Sequence, residues 1–241
     1  MPIFAISDLH LPLGENKPMD IFGGNWENYV EKLKDRWQQK VGKDDLVIMP
    51  GDFSWAMNLQ GAKPDFEFLH SLNGIKLLSK GNHDYWWETL TKLNRFREEN
   101  GFYDIHFLHN TAYLYKDTAV AVCRGWITPR DENFKKEDEI VYKREIIRLK
   151  MSIEKARELN PKKIIIAMHY PPFDEFYDIF LESGADFLVY GHLHGEGAWK
   201  NRIETEKIKL VSSDFLNFTP LYLAEKKKVE FRIAKCYNCL R

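Results

Sequence analysis

The sequence is poor in cysteine and has no long apolar run. Three cysteines in 241 residues are too few for a disulfide framework. Cys236 and Cys239 form a CxxC motif near the end of the chain, but no second pair completes a four-ligand zinc site, so we interpret them as free thiols. The apolar run at residues 3–6 is too short for a signal peptide or a membrane span, and we therefore expect a cytoplasmic protein.

The chain also lacks an excess of either charge. Its 35 basic and 36 acidic side chains nearly balance, so we expect no dedicated nucleic-acid binding. The charged run at residues 225–228 is interpreted as a solvated turn. Hydrophobic residues make up 44% of the chain, which is enough for a sizeable core. No repeat or low-complexity linker divides the sequence, and we expect a single domain over residues 1–241.

Short strands alternate with longer helices, which indicates an α/β fold. Strands are predicted at residues 3–7, 46–49, 75–78, 112–115, 118–122, 164–168 and 187–190. Helical spacing of apolar residues predicts helices at residues 26–41, 64–72, 89–100 and 137–159. We expect Asn25 to cap the first helix. The last helix is expected to have an apolar stripe formed by Ile140, Val141, Ile147, Met151, Ala156 and Leu159. After Gly195 the pattern predicts strands alone, at residues 208–211, 221–223 and 229–233.

Five of the predicted strands are each followed by a small polar cluster. The clusters are Ser7-Asp8-Leu9-His10, Gly51-Asp52, Gly81-Asn82-His83-Asp84, His169-Tyr170 and Gly191-His192-Leu193-His194. In open α/β sheets, the loops at the carboxyl ends of the strands converge on one crevice. We therefore expect the five clusters to share one site.

The side chains in these clusters suit divalent cations. A mixture of imidazole, carboxylate and amide oxygen favours Mn, Fe or Zn. The donors are too many for one ion. A shared carboxylate would let two ions lie about 3.5–4 Å apart, the spacing at which a metal pair holds both the attacking and the leaving oxygen of a phosphoryl transfer.

Taken in order, these motifs resemble the calcineurin-like metallophosphoesterase superfamily in every element. The matching motifs run from Asp8 to His194, which is most of the chain. The resemblance implies a four-layer α-β-β-α sandwich in which two mixed β-sheets lie face to face and helices cover them. The strands predicted after Gly195 would belong to the second sheet.

The resemblance also implies the reaction and the metal ligands. The activity would be hydrolysis of a phosphodiester or phosphomonoester by in-line attack of a hydroxide that bridges two divalent ions, Mn, Fe or Zn, with Mg as a further option. Asp52 would bridge the ions. The remaining ligands would be Asp8, His10 and His194 for one ion and Asn82, His169 and His192 for the other.

Two further residues receive catalytic roles from the same resemblance. His83 would face the scissile phosphate and stabilise the charged transition state or protonate the leaving oxygen, and Asp84 would orient its ring by a hydrogen bond. Gly51, Gly81 and Gly191 precede ligands, and we expect glycine there because the backbone must turn sharply or approach closely.

Aromatic and basic residues near these loops suggest substrate contacts. Arg124 and Arg130 flank Trp126, and the long connection at residues 11–24 contains Lys17. We assign Lys17, Arg124 and Trp126 to substrate binding, with core packing and surface ion pairs as the alternatives. The partner would be a small phosphate ester, and neither its identity nor the oligomeric state follows from the sequence.

A non-catalytic metal-binding scaffold for protein partners is the alternative function. Relatives of that kind usually lack ligands or the catalytic histidine, and here each is present. The N-terminal ISDLHL also resembles the lipid-precursor pyrophosphatases of the superfamily. Those enzymes typically carry arginine where this chain has His83, which argues against that substrate. For any single histidine, a structural role is the simpler explanation, so the metal site depends on the joint pattern.

Overall fold

The computed structural model describes residues 2–15, 17 and 19–223, and within them the strands form two five-stranded sheets. The first sheet has the order β10-β1-β2-β3-β4. Its strands are β1 (Ile3–Ala5), β2 (Leu46–Met49), β3 (Ile75–Ser79), β4 (Ile105–Leu108) and β10 (Leu221–Tyr222). Only β10 runs antiparallel to its neighbour, so the carboxyl ends of β1 to β4 share one edge.

The second sheet has the order β5-β6-β7-β8-β9. Its strands are β5 (Ala112–Tyr115), β6 (Thr118–Cys123), β7 (Lys163–Met168), β8 (Phe187–Tyr190) and β9 (Ile208–Leu210). The hairpin partner β5 is antiparallel to β6, and the remaining pairs are parallel. Both sheets are therefore mixed, as predicted. The expectation that the strands after Gly195 belong to the second sheet holds for β9 and is wrong for β10, which pairs with β1 of the first sheet.

The two sheets pack face to face with helices outside, which gives four layers. One apolar cluster joins Ala5, Ile48 and Leu77 of the first sheet to Val120 and Val189 of the second. The helices are α1 (Tyr29–Lys40), α2 (Lys63–Ser71), α3 (Leu90–Glu99), α4 (Asp138–Glu158), α5 (Glu175–Ser183) and α6 (Gly195–Trp199). The first three cover the first sheet, and α4 and α5 cover the second. Strands such as β2 are apolar at every position because both of their faces are buried.

The predicted α/β sandwich is confirmed, and several details of the elements are wrong. β4, α5 and α6 are present and were not predicted, so the segment after Gly195 does not contain strands alone. The first helix begins at Tyr29 and not at Trp26, because residues Gly24–Trp26 form a separate 3-10 turn. Asn25 lies inside that turn and is not the N-cap.

The predicted apolar stripe of α4 is also wrong for most of its residues, although Ala156 is buried. Ile140, Ile147 and Met151 are 74%, 59% and 49% exposed. The buried face is a second stripe with the same helical spacing, which packs on the second sheet. Its largest members are Tyr142, Ile146, Leu149 and Ile153.

Some expectations concern residues beyond those described. The strand at residues 229–233, the turn at 225–228 and the two cysteines of the CxxC motif lie outside the described residues. Cys123 is described, and it is a buried free thiol. Within residues 2–223, apart from 16 and 18, no helix has the length and apolar character needed to cross a bilayer.

Candidate metal centre

The five strand-end clusters come together at one edge of the sandwich. They follow β1, β2, β3, β7 and β8, and the loops are tied to one another by backbone hydrogen bonds. The Asp8 amide donates to Gly51 O at 3.0 Å, and the Gly191 amide donates to His169 O at 3.1 Å. The His192 amide donates to the Asp8 carboxylate at 3.1 Å, which links the two sheets directly. The predicted convergence therefore occurs in the structure.

One group of donors consists of Asp8, His10 and His194, whose ligand atoms lie within 4.8 Å of one another. The His194 Nε2 atom is 3.3 Å from Asp8 Oδ1 and 3.2 Å from His10 Nε2. Asp8 and His10 are almost completely buried. Two imidazole nitrogens and a carboxylate oxygen thus point at a common centre.

A second group consists of Asn82, His169 and His192. Asn82 Oδ1 is 2.6 Å from His169 Nε2 and 2.9 Å from His192 Nδ1, and the two ring nitrogens are 3.3 Å apart. Asp52 lies between the two groups. Its Oδ2 atom is 3.5 Å from His169 Nε2 and 3.9 Å from His10 Nε2.

The second group has donor chemistry that fits a cation. The Nδ1 atom of His169 is 3.0 Å from Pro50 O, which can only accept, so Nδ1 carries the proton. Burial, as the largest cause, lowers the pKa of His169 to about 3, and its ring is therefore neutral at pH 7. The Nε2 lone pair then faces the Asn82 carbonyl oxygen, another acceptor. A cation bound by both atoms would satisfy these two lone pairs.

The two buried carboxylates of the centre differ in their pKa shifts. Burial, followed by the charges of Asp84 and Asp8, raises the pKa of Asp52 well above its ordinary value. A divalent ion would reverse that effect, since it favours the ionised carboxylate. Burial also raises the pKa of Asp8, but its hydrogen bond to His194 and the nearby histidines outweigh that effect and hold the pKa far below its ordinary range.

Hydrogen bonds leave one oxygen of each carboxylate directed into the centre. Ser7 Oγ and Ser212 Oγ both donate to Asp8 Oδ2, so Oδ1 is the atom that faces His194. The His83 amide donates to Asp52 Oδ1 at 2.8 Å, so Oδ2 is the atom that faces His10 and His169.

Sequence reasoning missed Asp214, which orients His194. The Nδ1–H group of His194 donates to Asp214 Oδ1 at 3.0 Å, and the Gly195 amide donates to Asp214 Oδ2. Burial lowers the pKa of His194, but its bonds to Asp214 and Asp8 raise that pKa to about 10. The signal was present in the sequence, because Ser212-Ser213-Asp214 is a sixth polar cluster just beyond a strand, β9.

Backbone geometry explains the glycines before the ligands. Gly51 has a φ of 97°, as expected for a sharp turn. Gly191 lets its loop lie close to the loop after β1, because a Cβ atom there would overlap Asp8 Oδ2 and Ser7 Oγ. The proposed ligands Asp8, His10, Asp52 and His192 have positive φ themselves, between 46° and 73°. Such conformations cost free energy, and they concentrate at functional sites.

The predicted hydrogen bond between Asp84 and the His83 ring is wrong. The Asp84 carboxylate accepts from the backbone amides of Asp52, Phe53 and Gly81 and from the Trp86 indole, at 2.8 to 3.0 Å. Four donors occupy its lone pairs, so it clamps two loops together and does not orient the ring. Among the described residues, His83 Nδ1 is buried without a hydrogen-bond partner, and the ring lies 5.8 Å from that of His10 and 4.9 Å from that of Trp55.

The three predicted substrate residues occupy different places. Trp126 lines a cavity of about 730 Å³ that also contains the edge of His192. Arg124 lies over the Trp126 ring at 4.5 Å and is not part of the cavity wall. Lys17 is exposed, and its ammonium group is 3.8 Å from Met57 Sδ. The structure therefore brings two of the three next to proposed ligands: Trp126 shares the cavity wall with His192, and the Arg124 carbonyl accepts from the His169 amide at 3.1 Å.

Comparison with known proteins identifies a family and a fold. A family model described as calcineurin-like phosphoesterase matches residues 1–196. The crystal structure of AQ665, a protein of unknown function from Aquifex aeolicus, is 17% identical with a TM-score of 0.50, and the match covers 92% of this chain and 95% of that chain. The crystal structure of TT1561 from Thermus thermophilus is 17% identical with a TM-score of 0.51, and the match covers 80% of this chain and 82% of that chain. At this identity the likeness concerns the fold alone. No curated protein matches the chain significantly.

Proposed function

This chain belongs to the calcineurin-like phosphoesterase family, and we propose that it hydrolyses a small phosphodiester or phosphomonoester with two divalent metal ions. The position of Asp52 is the observation that supports this proposal most. Its Oδ2 atom lies near one residue of each donor group, which supports a carboxylate shared between two ions.

The two donor groups support the following proposed ligands for each ion. Asp8, His10 and His194 would hold one ion, and Asn82, His169 and His192 would hold the other, with Asp52 shared between them. The mixture of oxygen and imidazole donors favours Mn, Fe or Zn. When bound, the ions would make water acidic enough to act as a nucleophile at neutral pH and would neutralise charge on the phosphoryl group.

The other residues of the site orient these ligands and act on the substrate. Asp214 fixes the ring of His194, and Pro50 O fixes the ring of His169, so that one nitrogen of each ring faces inward. Asp84 positions the loops that carry Asp52 and Asn82. His83 is half-buried and not engaged by Asp84, which leaves its ring available to donate a proton to the phosphoryl or leaving oxygen.

A paired assay tests the proposed function. The purified protein, loaded with Mn²⁺, should hydrolyse bis-p-nitrophenyl phosphate or p-nitrophenyl phosphate, and the ratio of the two rates separates diesterase from monoesterase activity. Treatment with EDTA should abolish turnover, and added Mn²⁺ should restore it. Protein that binds two equivalents of Mn²⁺ and hydrolyses neither ester would contradict a phosphoesterase and would favour the scaffold function.

A further inference from the structure

A cavity adjoins the candidate metal centre on the side of the second sheet. Its volume is about 730 Å³, within the range of about 300–1,000 Å³ that small-molecule sites occupy. The walls come from the segments that follow β6, β7 and β8, where an α/β fold commonly binds its ligands. His192, a proposed metal ligand, forms part of the wall.

Aromatic rings form a continuous surface from the metal centre into this cavity. The Tyr170 ring lies 4.3 Å from the ring of His192 and 5.4 Å from that of Trp126. Trp126 is held in place, because its indole N–H donates to Asp138 at 2.9 Å and Arg124 lies over its face. Phe173 adds a third aromatic residue to the wall. Fixed rings of this kind favour a planar group in the ligand.

Two cations in the wall of this cavity, Arg130 and Lys200, are not paired with a carboxylate of the described residues. Arg130 stacks on Phe173 at 4.7 Å, and Lys200 follows α6 across the cavity. Neither forms an ion pair within residues 2–223 as far as these are described. The third cation, Arg202, is already bonded to Glu204 at 2.8 Å. The wall also contains Asp131, which accepts two bonds from Asn133, and the exposed Glu132.

We propose that this cavity binds the organic part of the substrate, and that this part carries an aromatic ring and a second anionic group, the chemistry of a nucleoside diphosphate. The ring would lie against the Tyr170 and Trp126 surface, and the second anion would accept from Arg130 and Lys200. The inference rests on the proposed function, because it takes the metal centre to hold the scissile phosphate.

Binding of a slowly hydrolysed nucleotide tests the cavity directly. Isothermal titration calorimetry of the Mn²⁺-loaded full chain would use adenosine 5′-(α,β-methylene)diphosphate, with methylenediphosphonate and adenosine as the two partial probes. We expect the complete probe to bind more tightly than either part. The double variant Arg130→Gln, Lys200→Gln should weaken its binding by about tenfold or more, because two charge-assisted hydrogen bonds are lost. Both side chains are exposed, so the variant should fold.

Arg144→Gln is the matched control, since Arg144 is an exposed cation on α4 outside the cavity. It should leave the affinity unchanged. The proposal is wrong if the complete probe does not bind, if methylenediphosphonate binds equally well, or if the double variant binds like the wild type. Hydrolysis of bis-p-nitrophenyl phosphate by the wild type is scored separately. Turnover of this ester without nucleotide binding would reject the proposed role of the cavity and leave the proposed phosphoesterase function intact. Nucleotide binding without turnover would support the role of the cavity and reject the phosphoesterase function.

Discussion

At the scale of single residues, His83 is proposed to act on the substrate, whereas the residues around it are proposed to bind metal. It lies among proposed ligands, yet its Nδ1 atom has no partner in the described residues and Asp84 does not orient it. We expect His83→Ala to lower kcat by about 10²–10⁴-fold, the range for loss of a general acid. Manganese content, measured by atomic absorption, should stay the same, because the ring is not a ligand.

His106→Ala is the control for this variant. His106, on β4, is also half-buried, but its ring packs against Tyr113 of β5 and not against a proposed ligand. It should keep wild-type turnover. If His83→Ala retained full turnover at every pH tested, the acid role would be wrong.

A substitution of Asp214 tests whether this carboxylate orients the proposed ligand His194. Asp214→Asn keeps the shape of the side chain and removes the charge that fixes the proton on His194 Nδ1. Manganese affinity, measured by calorimetry, should fall between about 10- and 100-fold, as for other partners of metal-bound histidines. Asp117→Asn is the control, since this exposed carboxylate lies 3.5 Å from the Lys162 ammonium group on a turn, and it should leave the manganese affinity unchanged. Wild-type affinity in the Asp214 variant would exclude this orienting role.

At the scale of elements, the loop after β8 is built on a glycine that leaves no room for a side chain. In Gly191→Ala the added Cβ would overlap Asp8 and Ser7, which lie on the other sheet. We expect the free energy of unfolding, from urea denaturation, to fall by about 1–3 kcal/mol, as for other overpacked sites. Gly197→Ala, on the open side of α6, has no atom within 4 Å of the new Cβ and should be neutral or stabilising. Equal stability of the two variants would contradict this account, because it would mean that the loops after β1 and β8 can move apart to make room for the added Cβ atom.

The loops after β1 and β2 are also tied to α2 through a buried carboxyl group. Asp65 accepts from the Leu13 amide at 2.8 Å and from the Ser54 hydroxyl. Burial raises the pKa of Asp65 from 3.8 to about 7. The folded state therefore holds this proton where the unfolded state has lost it. The contribution to stability is complete below about pH 4 and is lost as the pH rises through about 7.

Asp65→Asn removes this dependence on pH because the amide does not titrate. The free energy of unfolding of the variant, measured relative to wild type by urea denaturation, should rise from about pH 5 to about pH 7 by up to about 1.4 kcal/mol for each pH unit. It should level off at higher pH. A difference that stays constant with pH would show that Asp65 is ionised throughout this range.

The sequence predicts an element well when its residue pattern is compatible with only one kind of secondary structure. The fully apolar run of β2 and the β-branched run of β7 can only be buried strands, and their bounds are within one residue of the prediction. The helix α4 was found but its buried face was not, because two stripes in it have helical spacing and the packing against the second sheet decides between them. The polar His106 interrupts β4, and that strand was missed.

In the candidate site, too, some residues could be predicted from the sequence and others could not. Donors that follow predicted strands were found, since their types and order are visible in the sequence. Asp214 was missed because it makes its contact 20 residues beyond His194, after a segment predicted as strands alone. The role given to Asp84 was wrong because adjacency in sequence says nothing about which lone pairs the backbone amides occupy.

At the scale of the whole molecule, neither sheet could form the centre by itself. Asp8, His10, Asp52 and Asn82 follow strands of the first sheet, and His169, His192 and His194 follow strands of the second. The apolar layer between the sheets therefore sets the distance between the two sets of donors. The spacing of any ions held there is thus a property of the packed sandwich.

Anomalous diffraction at the manganese edge from crystals of the Mn²⁺-loaded protein measures that spacing. We expect two peaks about 3.5–4 Å apart, one beside Asp8, His10 and His194, the other beside Asn82, His169 and His192, and the Asp52 carboxylate in contact with both. A single peak, or two peaks that do not share Asp52, would contradict the two-metal centre.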